Sequence, residues 1–201
     1  MGFATETSNM LNTTFYLISI LTITRVSMIT QTVHTVIRHF HLLGLTRHWR
    51  LPIVCSSITK RLLVRKLSVK ESLVTTLDVG ETRKLCDSLV TAVDANHCPG
   101  SVMFLFKVIS TDQIMLHCGD FRACPAMEEY PSLWNNRIDK VYLDTTYCKP
   151  EYDFPNQADA LSTAVEHIHN HLQIHPKTLI VCGTYTIGKK ILDFTGYLWI
   201  Q

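Results

Sequence analysis

The order of apolar and polar positions after residue 50 predicts alternating strands and helices. Leucines separated by basic residues predict an amphipathic helix over Ser57–Lys70, and a second helix is predicted over Ala158–Leu172. Short apolar runs predict strands at Leu51–Cys55, Leu89–Asp94, Ser101–Ile109, Gln113–Cys118, Asp139–Asp144 and Lys177–Cys182. The short polar spacer 110–112 predicts a hairpin between two of them. We therefore expect an α/β sandwich with a mixed sheet.

The segment before residue 25 has a different pattern. Thr7–Thr24 is uncharged and contains the apolar run Phe15–Ile23. A membrane-spanning helix needs about 20 predominantly apolar residues, which this segment lacks. A signal peptide would carry positive charge before its apolar core, but the only charge there is Glu6. The Thr and Ile content favours a buried strand or an unstructured leader, so no membrane association is expected.

Composition and cysteine usage narrow the class of protein. The chain has 201 residues, of which 46% are hydrophobic and 18% charged. These values disfavour disorder, collagen-like repeats and coiled coils. The seven cysteines are odd in number and form no Cys-x-x-Cys pair. That usage favours a reduced intracellular compartment over a disulfide framework or a zinc ribbon.

Charge is distributed unevenly along the chain. The first 70 residues hold nine Lys or Arg against one Glu, whereas the remainder holds 16 acidic residues against ten basic ones. The basic run 38–70 includes Arg61, Arg65 and Lys66, which are candidate contacts to a DNA backbone. A solvated helix face is the alternative, and the sequence leaves both open.

Candidate metal-binding side chains lie beside or just after the apolar runs. Loops at the carboxyl ends of strands are where α/β sheets collect ligands. The candidates are His39, His41, His97, Asp120 and Asp144. Imidazole and carboxylate together suit Zn²⁺. The alternative is that these residues are turn formers and surface histidines, so taken alone they define a candidate metal site and no more.

Four longer motifs are similar to those of the DNA cross-link repair nucleases, which belong to the metallo-β-lactamase superfamily and carry a β-CASP domain. The motifs are Asp94–Gly100, Gly119–Arg122, Tyr142–Cys148 and Cys182–Lys189. They look closest to the interstrand cross-link repair branch, and the resemblance covers about residues 36–192. It implies a partial αββα metallo-β-lactamase sandwich over 36–150, a truncated β-CASP segment over 151–201, and a divergent leader over 1–35.

The resemblance also implies an activity. The family members are zinc-dependent 5′→3′ exonucleases that act in the nucleus, in interstrand cross-link and double-strand break repair. Their substrate would be single- or double-stranded DNA with a 5′ phosphate, and repair proteins are possible partners. The matching positions make His39, His41, His97 and Asp120 metal ligands, and they make Asp120, His97 and Asp144 catalytic. Thr184 and Lys189 would contact phosphate where a helix begins, and a simple helix N-cap is the alternative there.

The sequence departs from the family pattern after His41. Leu42 follows at the place where the family has an Asp-His pair. The ligands of a second metal are therefore missing, and one zinc ion is expected rather than two. The chain also diverges after Lys190, which suggests a truncated or alternatively assembled gene product.

Three functions follow from these observations. The first is an exonuclease of cross-link repair. The second is a non-catalytic fragment that binds DNA or a repair partner through its basic half. The third, a hydrolase of RNA or small esters, is disfavoured by the Asp-Thr-Thr-Tyr-Cys motif at 144–148.

Overall fold

A computed structural model describes residues 45–181 and the backbone of three earlier strands, 14–18, 23–29 and 32–37. The strands are β1 (Thr14–Ile18), β2 (Ile23–Ile29), β3 (Thr32–Ile37), β4 (Ile53–Cys55), β5 (Val74–Thr76), β6 (Thr82–Leu85), β7 (Ser88–Asp94), β8 (Val102–Val108), β9 (Ile114–His117) and β10 (Lys140–Tyr142). The α-helices are α1 (Ser57–Leu67), α2 (Pro131–Trp134) and α3 (Gln157–Ile174), with 3₁₀ turns at Glu71–Leu73 and Pro125–Glu129.

The strands form two five-stranded mixed sheets. Sheet one has the order β3-β2-β1-β4-β5, and sheet two has the order β10-β9-β8-β7-β6. In sheet one, β4 pairs in parallel with both β1 and β5. In sheet two, β6 to β9 pair antiparallel, and β10 joins β9 in parallel. The predicted hairpin is present as the β8–β9 pair.

The main core lies between the two sheets. Val54 of β4 and Leu77 after β5 cluster with alternate residues of sheet two. In β8, Phe104 and Phe106 belong to this inter-sheet cluster. Leu105 belongs to a cluster on the opposite face, because successive side chains of a strand point to opposite sides. Strand β8 is therefore covered on both faces, which explains its continuous apolar run.

Helices pack against the outer face of sheet one at β4 and β5 and against the outer face of sheet two. Leu63 of α1 is buried with Ile53 and Cys55 of β4 on the outer face of sheet one. Leu133 of α2 and Met127 of the preceding 3₁₀ turn pack against the outer cluster of sheet two. The layers run helix, sheet, sheet, helix, and the prediction of an α/β fold with mixed sheets is confirmed.

One helix end and one strand differ from the sequence prediction. Helix α1 ends at Leu67 because Ser68 adopts a left-handed conformation with φ of 54°. The predicted strand Lys177–Cys182 is wrong over 177–181, which form no strand, while Cys182 lies outside the described residues. Residues 177–181 have the apolar pattern of a strand, but within the described residues no other strand pairs with them. Leu179 and Val181 are accordingly exposed.

The chain divides into two compact units after Asp144. The first unit holds both sheets. In the second unit, the described part contains α3 and a cluster of the aromatic rings of Tyr147, Tyr152 and Phe154. The domain limits at 35 and 150 stay predictions. None of the helices in the described part has the length and apolar character to cross a membrane.

The thiols differ sharply in their surroundings. Burial raises the pKa of Cys55 from its usual 9.0 to about 12, whereas Cys86 and Cys148 are exposed. In the native protein at pH 8 we expect iodoacetamide to modify Cys55 at least about a hundredfold more slowly than the two exposed thiols, because the thiolate is the reactive form. Peptide-resolved mass spectrometry measures this ratio. Equal rates would contradict the burial of Cys55.

The raised pKa of Cys55 also makes the stability of the fold depend on pH. The folded state keeps the Cys55 proton up to about pH 12, while the unfolded chain loses it near its usual pKa of 9.0. The contribution of this thiol to stability is therefore complete below pH 9 and is lost as the pH rises towards 12.

Candidate functional site

Three loops leave sheet two at the same edge. Because β7 and β9 both pair antiparallel with β8, they run in the same direction, and β10 runs parallel to β9. The residues that follow Asp94, His117 and Tyr142 therefore emerge together. These are the loops that carry the predicted site residues His97, Asp120 and Asp144, all of them half-buried.

The loop with His97 is built from hydrogen bonds of its own. Asn96 adopts a left-handed conformation with φ of 49°, and its backbone N–H donates to Asp94 Oδ1 at 3.1 Å. The Ser101 hydroxyl accepts from the backbone N–H groups of His97 at 3.3 Å and Cys98 at 3.1 Å. That hydroxyl also donates to the Cys98 carbonyl at 2.8 Å. The backbone amides of His97 and Cys98 are thus both fixed by one side chain.

A pair of hydrogen bonds joins this loop to the one that carries Asp120. The backbone N–H of Arg122 donates to the Ala95 carbonyl at 2.9 Å. The Asn96 side-chain amide donates to the Arg122 carbonyl at 3.2 Å. The two loops are therefore tied together within two residues of His97 and of Asp120.

The charge of Asp120 also acts on Cys98, the residue after His97. Burial raises the pKa of the Cys98 thiol, and the negative charge of Asp120 raises it further, against a lowering by the hydrogen bond with Ser101. The Asp120 carboxylate is therefore close enough to act on the residue that follows His97. A carboxylate and an imidazole in adjoining loops are suited to share a divalent metal.

Asp144 lies two residues after the end of β10, on the same edge. The Cys118 backbone N–H donates to the Tyr142 carbonyl at 3.0 Å, and the His117 and Tyr142 rings stack with centroids 5.9 Å apart. Burial raises the pKa of Cys118 to about 11, and the charge of Asp144 contributes in the same direction. Asp144 is thus electrostatically coupled to the end of β9, where the Asp120 loop begins.

A second anchor, which sequence reasoning missed, holds the far end of the His97 loop. The hydroxyls of Ser56 and Thr59, at the start of α1, donate to the Gly100 carbonyl at 2.6 and 3.2 Å. Ser56 also caps α1 by accepting from the Thr59 backbone N–H. A Ser immediately before a helix is typical of an N-cap, but its contact across 44 residues is not readable from the sequence.

The remaining predicted residues fall in two groups. Arg61, Arg65 and Lys66 are exposed along α1, and no ion pair connects them to another residue within 45–181. The others lie outside the described residues, namely His39, His41, Thr184 and Lys189.

The donor set fits zinc by its chemistry. Zn²⁺ takes imidazole and carboxylate ligands in proteins, and His97 and Asp120 present one group of each kind in adjoining loops. Within the described residues no group of three or more His, Cys, Asp or Glu side chains is placed to hold a metal. A site of the predicted kind would also need His39 and His41, which lie outside the described residues.

Known proteins resemble this chain over most of its length. No model of a known protein family matches it. It is 46% identical over 156 residues to the DNA cross-link repair 1A protein of Gallus gallus, and 44% identical over 156 residues to the DNA cross-link repair protein SNM1 of Arabidopsis thaliana. It is 40% identical over 153 residues to the 5′ exonuclease Apollo of Gallus gallus.

Each of these matches covers 76% of this chain. The chain spans only 16% of the length of the first relative and 32% of the second and third. The similarity is thus extensive for this chain and partial for its relatives.

Proposed function

This chain belongs to the DNA cross-link repair nuclease family, and from that premise we propose that it acts on DNA as a zinc-dependent 5′→3′ exonuclease segment of the interstrand cross-link repair branch. The observation that carries the proposal is the pair of hydrogen bonds that ties the His97 loop to the Asp120 loop, through Asn96 and Arg122. Half-buried donors of complementary type in adjoining, mutually bonded loops are what a metal-dependent hydrolase requires.

The zinc site of this proposal uses His39, His41, His97 and Asp120. A zinc ion held there would lower the pKa of water and offset the charge of a phosphate group. Asp144, at the same edge of the sheet, would orient the substrate or hold a proton beside it. One zinc ion is proposed, because the Asp-His pair that would follow His41 is missing.

The DNA would lie against basic side chains. Arg61, Arg65 and Lys66 are exposed on α1, whose first turn contacts the Gly100 carbonyl of the His97 loop. A helix of this kind can follow a phosphate backbone through its positive charges. The 5′ phosphate of single- or double-stranded DNA is the proposed anchor for Thr184 and Lys189. We further propose that the chain acts in the nucleus, in cross-link and double-strand break repair. Repair proteins are its proposed partners.

A second candidate function has its own support. The missing Asp-His pair favours a non-catalytic segment that binds DNA or a repair partner through the basic N-terminal half. A misplaced ligand reduces rate far more than it reduces phosphate binding. The two candidates therefore differ in zinc content and turnover, and agree in DNA binding.

The experiment replaces one ligand. Full-length chain is purified, its zinc is measured, and its action on 5′-phosphorylated single-stranded DNA is followed beside His97→Ala and a control, His48→Ala. Loss of one zinc ligand is expected to weaken zinc binding by more than about tenfold and to reduce hydrolysis by at least about a hundredfold. His48 is exposed and is not a proposed ligand, so its replacement is expected to leave both unchanged.

Three results are informative. Zinc and hydrolysis that both depend on His97 support the exonuclease. DNA binding without zinc or hydrolysis supports the non-catalytic candidate. Hydrolysis that survives His97→Ala contradicts the proposed site.

A further inference from the structure

The Gly100 carbonyl is held by two hydroxyls of helix α1. Ser56 Oγ lies 2.6 Å and Thr59 Oγ1 3.2 Å from this oxygen, and the hydroxyls are 3.0 Å from each other. Both side chains are buried, with 4% and 1% of their surface exposed. A carbonyl oxygen has two lone pairs, so it can accept both hydrogen bonds at once. Buried hydroxyls that converge on one distant carbonyl fix its position with little freedom.

The position of Gly100 affects the backbone at His97 through Ser101, the next residue in the chain. The Ser101 backbone N–H donates to the Cys98 carbonyl at 2.9 Å, and the Ser101 hydroxyl accepts from the amides of His97 and Cys98. The loop between His97 and Ser101 is thus a closed turn. Movement of Gly100 changes the position of Ser101 and, with it, the backbone at His97.

We infer that Ser56 and Thr59 are positioning residues for His97, which set the distance between this imidazole and Asp120 through the Gly100 carbonyl. The inference rests on the proposed function, because it gives the fixed geometry a purpose in zinc binding. The opposite end of the loop is held by the Asn96–Arg122 contact, so the α1 contact completes a two-point support. Support from such outer contacts commonly changes metal affinity by about 10- to 100-fold.

A substitution at Thr59 distinguishes the positioning of the loop from the capping of helix α1. Ser56 both caps α1 and contacts Gly100, so Ser56→Ala removes two interactions. The Thr59 hydroxyl is not the cap, and Thr59→Val removes it while keeping the shape of the side chain. Thr59→Ser keeps the hydroxyl and serves as the conservative variant. Ser57→Ala, one residue after the cap, is the matched control, because its hydroxyl takes no part in the Gly100 contact.

The experiment measures local motion and zinc affinity in the full chain. Amide hydrogen exchange is followed by NMR at His97 and Cys98, and normalised to amides of β7 and β8. Zinc affinity is measured by competition with a chelator. In Thr59→Val, which keeps the helix cap, we expect normalised exchange at both amides to rise and zinc affinity to fall by about threefold, and in the double variant Ser56→Ala/Thr59→Val by about tenfold. Thr59→Ser and Ser57→Ala are expected to change each by less than about twofold.

The outcomes separate this inference from the proposed function. If exchange at His97 rises only in step with the sheet, or zinc affinity is unchanged in the double variant, the inference is wrong. If the unaltered chain binds no zinc, the proposed function fails, and the exchange measurement alone still decides whether the two hydroxyls hold the loop.

Discussion

Replacement of Gly100 by alanine is expected to lower the free energy of unfolding by about 3 kcal/mol, from backbone strain and overpacking together. Gly100 has φ of +85°, a conformation that side chains with a Cβ rarely adopt. An added Cβ would stand 2.7 Å from Ile58 Cβ and 3.0 Å from Ser56 Oγ. Both contacts belong to the first turn of α1, so the loop or the helix has to move. Urea denaturation of the full chain, followed by circular dichroism, measures the loss.

Gly80 provides a matched control for this prediction. It has the same φ of +85°, but a Cβ added there would meet nothing within 4 Å. Gly80→Ala therefore carries only the conformational cost, about 1 kcal/mol. The difference between the two variants isolates the close approach of the His97 loop to α1. Equal losses would show that this approach imposes no constraint.

The sequence predicted those strands whose side chains face an apolar core. The run that becomes β8 is continuous because both of its faces are covered, and β9 and β10 were placed to within two residues at each end. Strands β2, β3, β5 and β6 were missed. Strand β6, Thr82–Leu85, is an edge strand with three exposed residues, so its pairing with β7 leaves no apolar pattern to detect. Edge strands are defined by their neighbours more than by their own residues.

The site was predicted in part for a similar reason. His97, Asp120 and Asp144 each follow an apolar run, and the strand directions in sheet two bring the three loops to one edge. The contacts that fix those loops could not be predicted. The Asn96–Arg122 hydrogen bond spans 26 residues, and the two hydroxyl contacts to Gly100 span 41 and 44. A hydrogen bond between distant residues has no period or spacing in the sequence, because the fold alone brings its partners together.

Phe104→Ala is expected to have the largest effect on stability, a loss of about 4 kcal/mol, because deletion of a buried aromatic ring leaves a cavity. Phe104 is 4% exposed and belongs to the cluster between the sheets. The neighbouring strands β7 and β9 are held in place by their pairing with β8, so they cannot move in to fill the space. The partners of Phe104 across the ladder are Ala92 of β7 and His117 of β9. Chemical denaturation of the full chain again provides the measurement.

Leu89→Ala is the control, because Leu89 lies on β7 with 37% of its surface exposed and should cost about 1 kcal/mol. A loss at Phe104 no larger than at Leu89 would contradict the inter-sheet core. The consequence reaches the site, since β8 lies between the strands that lead into the His97 and Asp120 loops. A cavity at Phe104 loosens both strands at once, so zinc affinity should fall together with stability, whereas the Thr59 hydroxyl should affect zinc affinity with little change in stability.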